Sequence, residues 1–224
     1  MRVSVIIPVL NGADRLGQAV ASVRRQLCTG DEIIIVDDGS TDDTPAVMAD
    51  FGAAVLSFRQ DNAGPATARN RGLREATGDV IAFIDHDDLW APGRQTAMLA
   101  ALRADPTADI VVGKVQTVVD SGTAQLSPDD RRSAIIHQPW LLQTLLIRRI
   151  MFDRIGHFDE RLRHASDADW MMRARDTGVR IVEIDDLVAI YHLHSTNMSR
   201  NVAVSRDFLL QALKAALDRR RHQG

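Results

Sequence analysis

Residues 79–90 read DVIAFIDHDDLW, an apolar run with no polar alternation that is closed abruptly by three carboxylates and an imidazole. A strand wetted on one face alternates apolar and polar residues, whereas a continuous apolar run suits a strand covered on both faces. Such strands belong to parallel sheets flanked by helices, and in those sheets ligands bind beyond the carboxyl ends of the strands. Asp85, His86, Asp87 and Asp88 therefore stand where that architecture keeps its ligand site.

The flanking sequence repeats the pattern. VSVIIPV (3–9), DEIIIVDD (31–38), AAVLSF (53–58) and ADIVVGKVQTVV (108–119) read as four more strands. Between them lie helical segments at 13–27, 44–52, 64–78 and 92–105. In the first of these, Leu16, Val20, Val23 and Leu27 recur at helical spacing. Pro45 and Pro65 suit first turns, and Gly52 and Gly78 suit stops. Alternating strands and helices predict an α/β fold with a mainly parallel central sheet and helices on both faces. Asn11-Gly12, Asp37-Asp38-Gly39-Ser40 and the acids at 85–88 then all converge on one rim.

After about residue 120 the alternation stops. Residues 120–134 read as an exposed loop, and LLQTLLIRR (141–149) is ambiguous between strand and helix. SDADWMMRARDTG (166–178) reads as a helix with Ser166 as N-cap, Asp169 three residues later and Gly178 as stop. VRIVEI (179–184) and LVAIYHLH (187–194) read as two strands, and residues 205–221 as an amphipathic closing helix with an arginine-rich end.

The chain has 224 residues, 45% hydrophobic and 25% charged, which suits a soluble globular domain with a real core. A net charge of −3 excludes a broad electrostatic attraction to nucleic acid. One cysteine, Cys28, excludes an internal disulfide framework and fits a reducing cytoplasm. MRVSVIIPVL begins like a short signal sequence, but Asn11, Gly12, Asp14 and Arg15 interrupt it, and a first strand is the better reading. No stretch approaches the roughly 20 apolar residues that cross a bilayer.

In an extended segment, residues i and i+2 share a side, so Asp85 and Asp87 are expected to point together with His86 turned away. Two such carboxylates repel unless a cation lies between them. Oxygen donors of this kind suit Mg²⁺ or Mn²⁺, which keep water and bind substrate phosphates. The plainer alternative makes Asp88 the cap of the next helix and leaves Asp85 and Asp87 solvated.

Taken in order, VSVIIPVLNG, IIIVDDGSTDDT, NAGPATARNRGL, IAFIDHDDLWAPG, LLIRRIMFDRIGHFDERLRHASDADWMMRA and YHLHSTNMS resemble the family-2 glycosyltransferases, which are nucleotide-sugar-dependent enzymes of GT-A fold. The resemblance covers nearly the whole chain up to about Arg200. It implies that Pro8, Val9 and Asn11 line the base and ribose. It implies that Asp38 accepts a hydrogen bond from uracil with Asp37 close by, and that Arg69 lies near the phosphates or base. Asp85-His86-Asp87 matches the Asp-x-Asp signature, with Asp85 and His86 on the nucleotide-sugar side and Asp87 on a divalent metal, Mn²⁺ or Mg²⁺. Asp167 falls at the general base, and His194 at a further metal or diphosphate contact.

Residues 1–119 would then be the nucleotide-sugar-binding half, 120–204 the acceptor and catalytic-base half, and 205–224 a C-terminal helix, in one integrated domain. The implied reaction moves a sugar from a nucleotide-diphosphate donor, a UDP-sugar being expected, to the hydroxyl of a glycan, lipid-linked or protein acceptor. A metal-stabilised leaving group and one displacement with inversion complete that scheme. Leu10 stands where an aromatic is common, Ser166 where Glu usually precedes the catalytic Asp, and Ala168 where a bulkier residue is frequent. The alternative is a nucleotide-sugar-binding module with vestigial or no transfer activity. The expected location is cytoplasmic. The closing helix could touch the inner face of a membrane, pack on its own domain, or join a homodimer.

Overall fold

The computed structural model describes residues 1–119, 135–138, 141–162 and 165–194. The chain opens with β1 (Val3–Val9), α1 (Leu16–Arg24), β2 (Glu32–Asp37), α2 (Thr44–Asp50), β3 (Leu56–Arg59), α3 (Pro65–Glu75) and β4 (Val80–Phe83). There follow β5 (Leu89–Trp90), α4 (Arg94–Ala104), β6 (Ile110–Val119), β7 (Ile135–His137), β8 (Leu145–Arg148), α5 (Ile150–Ile155), α6 (Ser166–Asp176) and β9 (Ile181–Leu193). Among the described residues nine strands form one sheet in the order β3-β2-β1-β4-β8-β6-β9-β5, with β7 paired to β6.

β1 pairs parallel with β2 on one side and with β4 on the other, and β3 continues the parallel run beyond β2. The strand order therefore reverses at β1, so the loops after β1 and β4 flank the crevice where such sheets bind ligands. Beyond β4 the sheet continues through β8, antiparallel to both β4 and β6, and β6 pairs parallel with β9.

Both faces of the parallel strands are covered, as their unbroken apolar runs predict. In β1, Val3, Val5, Ile7 and Val9 enter the core shared with α1 and α4, while Ile6 enters the core shared with α3, α5 and α6. In β4 the same period of two sends Val80 and Ala82 one way and Ile81 and Phe83 the other.

Packing then places the second half. Phe83 meets Phe152 and Phe158 edge-on, with ring centroids 6.0 and 5.5 Å apart, and Phe152 stacks on Trp170 at 4.8 Å. Trp170 Nε1 donates to the Gly156 carbonyl at 2.8 Å, so the indole buries with its polar atom satisfied. This aromatic cluster ties α6, and with it Asp167, to the centre of the sheet.

Several local readings change. VRIVEI and LVAIYHLH form one strand, β9, with register irregularities against β6 on either side of Lys114. Ser166 is not the N-cap of α6. Ala165 takes that place in a left-handed conformation, and Asp169 pairs with Arg173 at 2.9 Å. The ambiguous stretch at 141–149 is a 3-10 turn, Leu142–Thr144, leading into β8. The 120–134 loop and the 205–224 helix lie outside the described residues. Among those described, no helix is long and apolar enough to cross a membrane.

α3 can lie close on β1 because Gly72 faces Ile6, and a Cβ at Gly72 would overlap Ile6 Cγ2. Helix propensity favours alanine there by about 1 kcal/mol, but overpacking a closed core costs about 1–3 kcal/mol. Ile6 is fully buried and backed by neighbouring strands, so the clash should win. Gly72→Ala is expected to lose up to about 2 kcal/mol of stability, read as a lower urea midpoint at unchanged slope.

Candidate active site

The rim is assembled from backbone and short polar side chains. Asn11 sits at φ +52, and its N–H donates to Ser40 Oγ at 2.8 Å. Thr41 N–H returns a bond to Asn11 Oδ1 at 2.8 Å, and Gly12 N–H donates to Thr44 Oγ1 at 2.9 Å. These bonds clamp the loop after β1 to the loop after β2. Gly39, at φ +84, lies so close to Asn62 that a Cβ would stand 2.8 Å from its backbone nitrogen. Only glycine meets both demands there.

Pro8 and Val9 are buried at the end of β1, directly before the rim, with Val9 entering the core. Asp38 Oδ1 accepts from Gln60 Nε2 at 2.8 Å and Ala63 N–H at 3.0 Å, and Oδ2 accepts from Gly64 N–H at 2.8 Å. The uracil acceptor implied for Asp38 is thus already shared among three protein donors. An ionised carboxylate has about four acceptor positions, which leaves one. Asp37 is fully buried; its Oδ1 accepts from Ser40 N–H at 2.8 Å, and its Oδ2 lies 3.4 Å from Arg59 Nη1 without a hydrogen bond. Both acids brace the wall of the rim.

On the other flank, Arg69 Nη2 donates to Asp85 Oδ1 at 3.0 Å. Arg69 is 8% exposed, and its Nε is buried with no hydrogen-bond partner. His86 packs against the first loop, where a Cβ at Gly12 would overlap its ring. The expectation that Asp85 and Asp87 share one side of an extended segment is corrected. β4 ends at Phe83, and Asp88 N–H closes a turn onto the Asp85 carbonyl at 3.1 Å. Within that turn Asp85 takes its partner from α3, while Asp87 Oδ2 lies 2.9 Å from Nε2 of His194, just past β9.

Asp88 is no helix cap, since α4 begins only at Arg94. It is fully buried, accepting from His192 N–H at 2.8 Å through Oδ1 and from Gln143 Nε2 at 2.8 Å through Oδ2. Burial pushes its carboxyl well above the usual range; Asp85 and Asp87 add to this, and the two donors oppose it. Arg94, also fully buried, stacks 4.0 Å over the Trp90 ring and donates to the Gln143 and Leu145 carbonyls at 3.4 and 2.8 Å. Burial lowers its guanidinium to about 9, so it stays charged at neutral pH. Gln143 and Arg94 were not legible as site residues. Gln143 shows only as a polar residue among leucines, and Arg94, between Gly93 and Gln95, carries no local signal at all.

Asp167 is partly buried in the first turn of α6, where the helix dipole favours a carboxylate, and its Oδ1 accepts from Ala168 N–H at 2.8 Å.

Among the described residues no group of three or more His, Cys, Asp and Glu side chains could hold a metal ion. Asp87 with His194 offers one carboxylate and one imidazole. Such a two-donor set fits an ion that completes its shell with water and substrate phosphates.

A family model described as glycosyl transferase family 2 matches residues 4–177. The chain is 32% identical over 190 residues to an uncharacterized glycosyltransferase of Rickettsia typhi, covering 79% of this chain and 60% of that protein. It is 31% identical over 220 residues to the uncharacterized glycosyltransferase YibD of Escherichia coli K12, covering 89% and 63%. The chain thus spans about three fifths of the length of these relatives. Among solved structures, residues 1–349 of Staphylococcus aureus TarS in complex with UDP-GlcNAc superpose with TM-score 0.73 at 23% identity, over 89% of this chain and 61% of that one. The Pyrobaculum calidifontis mannosyltransferase PcManGT, in complex with GDP-Man and Mn²⁺, gives TM-score 0.71 at 21% identity, over 99% and 64%. Those likenesses show the fold, which is GT-A. The ordered motifs, the match along residues 4–177 and the relatives above 30% identity agree, and the chain belongs to glycosyltransferase family 2.

Proposed function

We propose that this chain transfers a sugar, with inversion, from a nucleotide-diphosphate donor to an acceptor hydroxyl. The observation that carries the reading is the 2.9 Å approach of Asp87 and His194 across 107 residues of sequence, at the ligand-binding rim of a parallel sheet. A carboxylate and an imidazole gathered there suit a divalent cation shared with a diphosphate. UDP is the favoured nucleotide, with a hexose or N-acetylhexosamine as the sugar. Neighbours of the same fold bound to UDP-GlcNAc or to GDP-Man with Mn²⁺ support that donor class.

In this scheme Asp87 and His194 hold Mn²⁺ or Mg²⁺ against the pyrophosphate. When bound, the ion supplies charge stabilisation for the departing nucleoside diphosphate. Pro8, Val9 and Asn11 seat the base and ribose, with Asp37 and Asp38 holding the loops that enclose them. Arg69 and Asp85 form the sugar and phosphate side of the pocket. Asp167 takes the proton from the attacking hydroxyl as general base. The acceptor is a glycan, a lipid-linked glycan or a protein.

A thermal-shift panel of UDP, GDP, CDP and their sugars, with and without Mn²⁺, tests the donor class. At 100 times the dissociation constant a ligand of the folded state adds about 2.7 kcal/mol. For a chain of this size that raises the midpoint by about 5–10 °C. The expected result is a UDP shift that needs Mn²⁺. Shifts that ignore the metal, or none with any nucleotide, would overturn the reading.

A further inference from the structure

Asp88 is a buried carboxylate that no step of the proposed transfer uses. Burying a charged group away from water is unfavourable unless its bonds repay the lost hydration. Its two bonds reach different parts of the fold, one to the His192 amide 104 residues away and one to the Gln143 side chain 55 residues away. Gln143 is in turn held through its carbonyl by the buried Arg94.

The β9 ladder shows what the first bond does. On one edge β9 pairs with β6 through to Leu193. On the other edge β5 supports it only as far as Ile190, opposite Leu89. Past that point the Asp88 carboxylate takes the place of a strand, accepting the His192 N–H at 2.8 Å. Two residues later His194 lies against Asp87. Asp87 and Asp88 are adjacent in one turn, so the turn grips the end of β9 twice, once by backbone and once by imidazole.

We propose that Asp88 is a positioning residue: by holding the His192 amide it sets His194 opposite Asp87, with Gln143 and Arg94 fixing the carboxylate from behind. The inference rests on the reading of Asp87 and His194 as a cation site. It assigns Asp88 no contact with the cation or the sugar. Partners of this outer kind change metal affinity by about 10- to 100-fold when removed.

The test is Mn²⁺ binding to the nucleotide-loaded protein, followed by the electron paramagnetic resonance signal of free Mn²⁺. UDP or GDP is used, whichever gives the larger thermal shift. Wild type, Asp88→Ala, His194→Ala and the double variant are compared. Each single variant is expected to bind Mn²⁺ about 10-fold more weakly, and the double variant no more weakly than His194→Ala, because Asp88 acts through that ring. Unchanged affinity in Asp88→Ala, unchanged affinity in His194→Ala, or full additivity overturns the inference. If Asp88→Ala does not fold, Asp88→Asn and Gln143→Leu replace it. Asparagine keeps an acceptor for the His192 amide and can pair with a flipped Gln143 amide, so near-wild-type affinity is expected. Gln143→Leu should weaken Mn²⁺ binding by a smaller factor, again only while His194 is present. A wild type that binds no Mn²⁺ with either nucleotide overturns the cation site and the inference together. Firm Mn²⁺ binding that is indifferent to Asp88 and Gln143 overturns the inference alone.

Discussion

Asp87→Ala is expected to lower metal-dependent turnover by about 10³-fold or more, equivalent to about 4 kcal/mol at the transition state. In the proposed transfer, negative charge would grow on the outer oxygen of the departing nucleoside diphosphate, and Asp87 would hold the cation that offsets it. Removing one preorganised electrostatic contact of this kind typically costs 10²- to 10³-fold. Losing the carboxylate also strips the ion of its one anionic protein donor in the pair and leaves His194 alone. Asp87 is only partly buried and its carboxylate meets His194 at the rim, outside the apolar core, so the thermal midpoint in EDTA should move little. Initial rates over a Mn²⁺ titration, with melting curves beside them, decide the matter. Wild-type metal dependence in Asp87→Ala would remove Asp87 from the cation site.

Asp167→Asn is the second large effect, with kcat expected to fall about 10²- to 10⁴-fold and KM to stay within about threefold. Asparagine matches the shape of aspartate and can still accept from the Ala168 N–H that Asp167 holds at 2.8 Å. What it loses is the ability to take a proton from the attacking hydroxyl. Melting curves of the variant should overlay those of wild type. A kcat within about threefold of wild type would assign the base elsewhere. A wild type that binds donor and metal but turns over no donor at all would instead favour a binding module. Ser166, the residue before Asp167, is buried at the start of α6 and adds no second acid beside it.

Much of the framework is readable along the chain because its signals are local. A run such as VSVIIPV needs no knowledge of distant residues to require cover on both faces, and Pro65 or Gly64 marks a helix start by backbone geometry alone. The rim follows from the same logic, since parallel strands put all their carboxyl ends on one side. The second half resisted because its elements are short or antiparallel. The 3-10 turn at Leu142–Thr144 and the four-residue strand β8 carry no period long enough to read. Ser166 resembles a cap because a Ser followed three residues on by an acid suits one, whereas the left-handed Ala165 that takes its place leaves no such mark.

The layered fold, the rim and the residue types gathered there can be read along the chain, because periodicity and turn chemistry act over a few neighbouring residues. How those residues are employed depends on the packed core. It turned the oxygens of Asp37 and Asp38 inward, buried Asp88 under β9, and brought His194 to Asp87 across 107 residues. Contacts at that separation depend on where a distant strand returns to the sheet, which is set by the packing of the whole core and not by any local pattern.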